Sequence, residues 1–560
     1  MTEFEADVLV LGGGPAGIWA ALSASAAGAR VVLVDKMRCA GGGPAVDGVG
    51  ALWNVAPGAA REASVRQALR HSGGLGDPVV MHRVLDETST RTAQLLDWGY
   101  RFPVSRRAAT PRGTRLDGAR YLRLLRRRLR LAGVVVLDGH PALRLLIDET
   151  GAVGGACGVI AQQRCREWTA RAGAVVLATG GCAFGSGAVG TEAATGDGLL
   201  MAAEAGARLS GMEFAGAYGI AVAHSAAGPV DRCAPALHPV LRAAPLFDES
   251  GAALTGHRSA ALTALAEGRR VYAEPAGLLS ATRERLTRIG LLDASGRIPI
   301  RAVLEGTVRG SGGIAHTGPH CATAVPGLYV AGDVADRQAV SGAAGGAGGR
   351  HAAWAIASGV WAGRGAADRA RAHGLPARVR PVPGAGLAER ARVDPRAVIG
   401  LVQEHTLPLR RSYLRGAGSL RDSIAELDLI WPGARLDLGG RGPDVLRARQ
   451  AAAMLAAARW IAHSALTRTE SRGLHHRTDH PAQSPQWRTR LLVTGVDEIT
   501  VDRERPLAAP AGRRGFVVRP AGRSNPAPDQ PRSDQPRSDQ PRSDQPRSAR
   551  GADLTRPGPR

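Results

Sequence analysis

The chain has 560 residues, 44% hydrophobic and only 4% aromatic, with a formal net charge of +23. This length is enough for a large core and about three or four domains. Lys36 is the only lysine among 72 basic residues, so the charge reflects an arginine bias. Without an RNA- or DNA-reading motif, that bias does not predict nucleic-acid binding.

The cellular compartment and the metal content of the protein are predicted from three sequence features that are missing. No apolar run is long enough for a membrane span, and an early strand leaves no room for a signal peptide. The six cysteines include no C-x-x-C pair, which argues against an iron–sulfur or zinc site within the chain. We therefore expect a cytoplasmic protein without a metal of its own.

The first element is a strand followed by a glycine-rich turn. Residues 8–11 form a short apolar run, typical of a strand buried on both faces. Gly12, Gly14 and Gly17 follow it as G-x-G-x-x-G. In this pattern the first glycine permits a tight bend, the second lets a diphosphate approach the backbone, and the third lets the next helix pack closely.

A helix and a second strand complete this unit. We predict a helix from about Pro15 to Ala27, whose N-terminus would bind the diphosphate, and a strand over residues 31–34. Asp35 lies at the tip of that strand, where an acid binds ribose hydroxyls. The order strand, turn, helix, strand and acid predicts dinucleotide binding. The loop with Gly41, Gly42 and Gly43 follows directly and is expected to line the cofactor.

An arginine-rich stretch follows a predicted helix over residues 78–98. Residues 101–130 carry eleven arginines and one acid, Asp117, and their second half suits an amphipathic helix. Such a run is usually a solvated face. The alternative is a docking surface for an acidic electron-carrier protein.

The middle of the chain continues the α/β pattern. Strands are predicted over residues 134–137 and 142–147, and a hairpin over 151–172 leads into a buried strand at 175–177. A helix opens at residues 195–198, which read TGDG. Regularity weakens over residues 214–303, which we interpret as an inserted lid with one helical segment at 257–270.

The last third of the chain begins with further α/β elements and ends in segments outside the α/β pattern. Residues 328–330 predict a strand, and a Gly-rich turn leads to a helix from about Arg350 to Trp361. Residues 365–390 read as a linker, 391–470 as about three helical segments, and 482–518 as a short tail element. DQPRS repeats four times from Asp529 to Ser548, which predicts disorder.

Seven segments in this order resemble the fumarate reductase/succinate dehydrogenase flavoprotein family, which includes L-aspartate oxidase and the flavoprotein subunit of adenylylsulfate reductase. They are GGGPAG at 12–17, DK at 35–36, ATGG at 178–181, TGDG at 195–198, MEF at 212–214, GGI at 312–314 and PGLYVAGD at 326–333. The segment TESRGLHHRTDHP at 469–481 resembles the family's C-terminal helical domain.

The resemblance implies an α/β fold: a Rossmann-like FAD-binding domain with an inserted α+β capping domain and a C-terminal helical domain. The corresponding boundaries are 1–213 and 306–364 for FAD binding, 214–305 for the capping domain, 391–481 for the helical domain, 482–522 for a C-terminal extension and 523–560 for a disordered tail.

The resemblance also implies FAD and the residues that hold it. These are Gly12, Gly14, Pro15, Ala16, Gly17, Asp35, Lys36, Gly41, Gly42, Gly43, Thr179, Gly180, Asp197, Gly332 and Asp333. Family members that attach FAD covalently use a histidine in the loop after the second strand, and this loop reads MRCAGGG. Non-covalent FAD is therefore expected.

The substrate residues depart from the family pattern. The family's substrate histidine lies six residues before the isoleucine of GGI, where this chain has Val308 with Arg309 beside it. The candidates for catalysis are Arg309, His351 at the start of the final helix, and Arg258 and Arg270 in the lid. Arginine needs a relay partner to move a proton. For His351 a structural role is an equal alternative.

The expected function is a FAD-dependent oxidoreductase that transfers hydride between flavin and a small anionic substrate. Electrons would pass on to a separate acidic iron–sulfur or ferredoxin-like subunit. Two alternatives stay open: an L-aspartate-oxidase-like flavin oxidase that works alone with oxygen, and a non-catalytic FAD-binding electron-relay subunit. No nucleic acid and no direct membrane span are expected.

Overall fold

The computed structural model describes residues 2–45, 49–103, 114–163, 165–223, 241, 244–255, 258–275, 280–288, 290–346 and 349–504. Residues 1–505 form one compact unit. The predicted repeat tail, residues 505–522 of the predicted extension and residues 104–113 of the arginine-rich stretch lie outside the described residues. Within the described ranges, no helix has both the length and the apolar character needed to cross a membrane.

The strands alternate with helices from the N-terminus onward. In chain order they are β1 Thr2–Leu11, β2 Val31–Asp35, β3 Val49–Ala51, β4 Arg115–Asp117, β5 Val135–Asp138, β6 Ala142–Ile147, β7 Val153–Ile160, β8 Arg166–Leu177, β9 Leu209–Ser210, β10 Tyr218–Val222, β11 Leu246–Asp248, β12 Val271–Ala273, β13 Ile298–Leu304, β14 Gly313–Ile314, β15 Leu328–Val330, β16 Arg380–Pro381, β17 Leu414–Arg415, β18 His476–Arg477, β19 Leu491–Thr494 and β20 Thr500–Arg503.

The helices are, in chain order, α1 Pro15–Ala26, α2 Ala59–His71, α3 Pro78–Asp97, α4 Gly118–Leu131, α5 Asp197–Glu204, α6 Arg258–Ala266, α7 Ser280–Arg288, α8 Gly306–Arg309, α9 Gln338–Ser341, α10 Arg350–His373, α11 Pro395–Thr406, α12 Leu409–Ser412, α13 Ala417–Leu436 and α14 Pro443–Thr467. Short 3-10 helices span Met212–Ala215, Gly332–Val334 and Pro485–Trp487.

The largest sheet joins a parallel half to an antiparallel half. Strands β5, β2, β1, β8 and β15 run parallel, and β7, β6 and β16 continue the sheet antiparallel from β8. Strand β8 has 12 residues, so it pairs with β7 through its first half and with β15 through its second. The second strand of the predicted hairpin and the buried strand predicted at 175–177 are thus one continuous strand, β8.

Helix α10 extends twelve residues beyond its predicted end at Trp361, into the stretch predicted to be a linker. Three glycines in the helix give the physical reason. A Cβ at Gly359 would collide with the Ala16 carbonyl oxygen, and one at Gly363 with the Ala20 carbonyl oxygen, both on α1. A Cβ at Gly365 would press on His320. These glycines therefore mark close helix packing, not a flexible connection.

A second, antiparallel sheet lies inside the stretch predicted to be the capping domain. Its order is β10-β13-β12-β11, and it has a separate hydrophobic core drawn from residues 220–300. The main core instead gathers residues from both ends of the chain. The capping-domain boundaries themselves stay a prediction.

The C-terminal strands belong to a third sheet rather than to a separate tail element. Its order is β14-β9-β19-β20, so Leu492 and Val493 pair with Ser210 and Leu209. The hairpin β19–β20 therefore completes a sheet begun by residues that follow α5. The sequence did not indicate this pairing, because β9 and β14 have two residues each.

A buried ionic network fixes the segment 469–481. Arg468 donates to Glu213 at 2.9 Å and to Glu470 at 2.9 Å, and all three side chains are fully buried. Arg415 donates to His475 Nδ1 at 2.9 Å, which leaves Nε2 to donate to the Arg468 carbonyl at 3.1 Å. Both ring nitrogens of His475 are thus occupied by protein groups.

Candidate active site

A cavity of about 840 Å³ lies where the parallel strands of the large sheet end. Its wall includes Gly12 after β1, Lys36 after β2, Thr179 after β8 and Gly332 after β15. Ligands of open α/β sheets bind outside the carboxyl ends of the strands, so this is the expected place for a binding site. The cavity is the candidate active site.

The glycine turn has the backbone geometry that a phosphate cradle requires. Gly12 has a φ of +110°, and a Cβ there would collide with the Ala178 carbonyl. A Cβ at Gly17 would collide with the Gly12 carbonyl, so this glycine lets α1 pack on β1, as predicted. A Cβ at Gly14 would meet no atom within 4 Å, so open space lies in front of that backbone at the start of α1.

The tip of β2 is fixed by its own carboxylate. Asp35 Oδ2 accepts a hydrogen bond from the Gly13 amide at 2.6 Å, and Oδ1 accepts from the Met37 amide at 2.7 Å. The side chain therefore ties the glycine turn to the start of the next loop. Each carboxylate oxygen can accept more than one hydrogen bond, so Asp35 can still accept from ribose hydroxyls.

Lys36 and Asp197 form an ion pair that the sequence did not reveal. Lys36 Nζ donates to Asp197 Oδ2 at 2.6 Å and to Thr195 Oγ1 at 2.7 Å. Asp197 begins α5, where its charge suits the helix N-terminus. The pair joins the end of β2 to α5 across 161 residues of sequence. No local pattern could have indicated it.

Arg337 is a second residue that sequence reasoning missed. Its side chain is fully buried and donates to the carbonyls of Asp333 at 2.9 Å and Gly310 at 2.6 Å, and to His351 Nε2 at 3.2 Å. One guanidinium thus joins the turn after β15, the end of α8 and the start of α10. No signal in the sequence distinguished it from the many surface arginines.

His351 is a neutral, buried imidazole that lines the cavity. Burial lowers the pKa of His351 well below its ordinary value, and the charges of Arg337, Arg309 and Arg350 lower it further. Because Arg337 donates to Nε2, the proton of the neutral ring lies on Nδ1. A backbone hydrogen bond with Val308 opposes this lowering of the pKa.

Asp333 lies at the opposite end of the same network. Burial raises the pKa of its carboxyl, and the charges of Arg337 and Arg309 oppose that rise. The Arg337 Nε to Asp333 Oδ1 distance is 3.9 Å. Arg309, His351 and Asp333 therefore share one electrostatic environment, with Arg337 behind them.

The cavity brings together most of the residues predicted to form the site. The predicted residues in its wall are Gly12, Gly14, Pro15, Ala16, Asp35, Lys36, Gly42, Gly43, Thr179, Gly180, Asp197, Gly332, Asp333, Arg309 and His351. Gly17 and Gly41 lie outside the wall. Arg258 and Arg270, the candidates in the lid, also lie outside it, and Arg270 is solvent-exposed.

Glu305 is a cavity residue that sequence reasoning passed over. It follows β13 directly, precedes α8 and lines the cavity. A signal was present, since a single acid separates the apolar run of β13 from the glycine-rich loop that follows. The residue was missed because the position expected for the substrate histidine is three residues later, at Val308.

Comparisons with known proteins identify the domains that this chain contains. A family model described as FAD binding domain matches residues 7–217, and one described as fumarate reductase flavoprotein C-term matches residues 439–510. The chain belongs to the fumarate reductase/succinate dehydrogenase flavoprotein family. This flavoprotein is a FAD-dependent oxidoreductase.

Individual relatives match over nearly the whole chain. The L-aspartate oxidase of Mycobacterium tuberculosis is 28% identical over 546 residues, covering 88% of this chain and 96% of that protein. Escherichia coli quinol fumarate reductase FrdA superposes with a TM-score of 0.75 at 21% identity, covering 90% of this chain and 97% of that chain. Mycobacterium smegmatis Sdh1 gives 0.74 at 21% identity, covering 91% and 95%. The two solved structures show the fold.

The residues present fit FAD. Open space in front of Gly14 suits a diphosphate, and one buried polar atom in the cavity wall, Thr179 Oγ1, has no protein partner among the described residues. Buried polar atoms usually have partners, so this hydroxyl is available to a ligand. When bound, FAD supplies a ring that accepts or returns two electrons as a hydride.

Proposed function

We propose that this flavoprotein oxidises or reduces a small anionic substrate held by Arg309 and exchanges electrons with a separate acidic carrier protein. One observation carries the proposal: the cavity that begins at the glycine turn also contains Arg309, a guanidinium that the described residues leave without an acceptor. The other two arginines in the wall, Arg38 and Arg115, are solvent-exposed, whereas Arg309 is partly buried.

Arg309 is suited to bind rather than to move protons. A guanidinium stays protonated and binds a carboxylate through two parallel hydrogen bonds. Neutral His351 lines the same cavity, where Arg337 and the backbone of Val308 hold its ring in place. In this proposal Arg309 orients the substrate, and the lid sheet excludes water.

The proposed carrier would dock on an arginine stripe formed by Arg120, Arg123, Arg127 and Arg130. These residues lie on one exposed face of α4, while Tyr121, Leu122, Leu125 and Leu129 are buried beneath it. An exposed stripe of one charge attracts an acidic partner and speeds its association. The first residue of α4, Gly118, lines the cavity, which places one end of the stripe near the cofactor.

A flavin oxidase of the L-aspartate oxidase type is the second candidate. It is favoured by the relatives that match most of the chain, which bear that name. It predicts reoxidation of the reduced protein by oxygen with peroxide formation and no partner. Non-covalent attachment of FAD and a cytoplasmic location stay predictions under either function.

The first experiment is a visible spectrum of the purified protein, followed by acid precipitation and anaerobic substrate addition. We expect flavin absorbance that moves to the supernatant and is bleached by a small carboxylate. A bleached protein that oxygen reoxidises with equal peroxide supports the oxidase. Bound flavin that no carboxylate bleaches supports a relay subunit, and absence of flavin after FAD addition overturns the proposal.

A further inference from the structure

Two side chains of opposite charge stand unpaired in the cavity at the two ends of α8. Glu305 precedes the first helical residue and Arg309 is the last. Both line the cavity and both are partly buried. Within the described residues, neither side chain forms a hydrogen bond or an ion pair, although residues four apart on a helix are near neighbours.

A partly buried charge without a hydrogen bond or an ion pair lowers the stability of the unliganded protein. The presence of two such charges in one cavity therefore points to a ligand that binds them. Each group loses part of its hydration without gaining a partner. The backbone also makes room for the carboxylate. A Cβ at Gly219 on β10 would lie 3.2 Å from Glu305 Oε1, so a side chain at this position would crowd that oxygen.

The spacing of the pair suits a small zwitterion. Residues four apart on a helix have Cβ atoms about 5–6 Å apart. An ammonium and a carboxylate attached to one carbon can therefore reach Glu305 and Arg309 together. A substrate with two carboxylates would place one of them against Glu305, where like charges repel.

Apolar side chains also line the cavity on the lid side of this pair. Ala221 on β10 and Val303 on β13 lie on the sheet face that Gly219 turns toward Glu305, and Val308 lies between the two charged residues on α8. A second carboxylate against these side chains would lose hydration without gaining a hydrogen bond. An aliphatic or aromatic side chain would instead be stabilised by burial.

We propose that the substrate is an α-amino acid with an apolar side chain. Glu305 binds its ammonium group, Arg309 binds its carboxylate, and its side chain packs on the wall formed by β10 and β13. Glu305 is thus the residue that determines specificity for an amino group. This inference rests on the proposed function: it keeps the carboxylate that Arg309 would hold and adds an ammonium group, so the substrate is a zwitterion rather than a simple anion.

The test compares amino acids with the same molecules lacking the amino group. The FAD-loaded protein is titrated anaerobically with L-leucine, 4-methylpentanoate, L-phenylalanine, 3-phenylpropionate and succinate, and Kd is read from flavin absorbance. Because charge-assisted hydrogen bonds are the strong ones, we expect each amino acid to bind at least ~10-fold more tightly than its deaminated partner. Succinate should bind more weakly than L-leucine.

Variants separate the two charged groups. Glu305→Gln should raise Kd for L-leucine at least ~10-fold and leave Kd for 4-methylpentanoate unchanged or lower. Arg309→Met should weaken binding of both compounds. Glu192→Gln is the matched control, because Glu192 is exposed and lies outside the cavity wall. It should change neither Kd.

Several outcomes would overturn the proposal while leaving the flavoprotein function intact. They are equal Kd values for L-leucine and 4-methylpentanoate, tighter binding of succinate than of L-leucine, an unchanged Kd in Glu305→Gln, or no spectral change with any compound in FAD-loaded protein. A protein that binds no FAD at all would instead overturn the proposed function itself.

Discussion

The two sides of the cavity differ in whether their charged side chains have partners within the protein. On the side built from the large sheet, charged groups have partners within the protein. Asp35 accepts hydrogen bonds from two backbone amides, and Lys36 forms an ion pair with Asp197. On the side built from α8 and the lid sheet, Glu305 and Arg309 have no partner among the described residues. Both sides are only partly exposed to water.

We interpret this difference as a division between the residues proposed to hold the cofactor and those proposed to bind the substrate. A charge paired within the protein stabilises the fold whether or not anything is bound. A charge left without a hydrogen bond or an ion pair loses hydration in the apoprotein and is satisfied only by a ligand. The comparison is open to test because the two kinds of residue should respond differently in apoprotein stability and in ligand binding.

The largest effect is expected at the glycine turn. Gly17→Ala places a methyl group against the Gly12 carbonyl, so α1 must move off β1. We expect a loss of about 3 kcal/mol in the free energy of unfolding of the apoprotein, measured by urea, and loss of bound FAD. Gly14→Ala is the control, because its methyl group enters open space. It should lower FAD content while apoprotein stability stays nearly constant.

Breaking the Lys36–Asp197 pair should have the next largest effect. Lys36→Met leaves the Asp197 carboxylate largely buried without its partner, which should cost about 2 kcal/mol of apoprotein stability, less than a fully buried pair. The double variant Lys36→Met, Asp197→Asn should recover part of this loss. Glu305→Gln and Arg309→Met should not lower the free energy of unfolding of the apoprotein, because each removes a partly buried charge that has no hydrogen bond or ion pair. Equal losses for all four would erase the distinction between the two sides.

Local patterns predicted the cofactor side well and the substrate side poorly. The glycine turn depends on residues within one strand, turn and helix, so spacing and apolar runs were sufficient to place Gly12 and Asp35. Glu305 and Arg309 are only four residues apart, but they meet β10 of the lid sheet and the turn after β15 through tertiary structure. No spacing within one segment indicates those contacts.

Glycine also misled the sequence interpretation where it serves packing. Gly359 and Gly363 lie within α10 against the backbone of α1, although glycine usually disfavours a helix interior. The same residue type permits a tight turn at Gly12 and close helix contact at Gly363. Only the partner helix tells the two uses apart, which is why α10 was predicted to end early.

Two buried neutral histidines should make stability depend on pH. Burial lowers the pKa of His351 and of His475 well below the ordinary value of 6.5. The unfolded chain therefore binds protons below about pH 6.5 that the folded chain does not. Stability should be fully present above that pH and fall as pH drops, by up to about 1.4 kcal/mol per pH unit for each histidine.

The variant His351→Gln tests this assignment in urea unfolding from pH 7 to pH 5. It should reduce the slope of the free energy of unfolding against pH by up to about 1.4 kcal/mol per pH unit, which corresponds to one proton. This holds whatever the effect of the substitution at pH 7. His373→Gln is a suitable control, because His373 is exposed at the end of α10. An unchanged slope in His351→Gln would mean that the imidazole is charged in the folded protein.

The smallest effect on the molecule itself is expected at the arginine stripe. Arg123→Glu with Arg127→Glu should change stability by less than about 0.5 kcal/mol and leave FAD content unchanged, because both side chains are exposed. Electron transfer from the reduced protein to an acidic [2Fe–2S] ferredoxin should nevertheless slow by at least ~10-fold at low salt. Higher salt should reduce the difference, because screening weakens attraction between exposed charges.

The matched control is Arg66→Glu with Arg70→Glu, which reverses the same number of exposed charges on α2. If both double variants slow transfer equally, net charge rather than the stripe attracts the carrier. If neither does, and oxygen reoxidises the flavin quickly in each, the protein works without a carrier. Only a loss confined to the α4 variant supports a docking surface there, because attraction between a local stripe and a local acidic patch depends on where the charges lie.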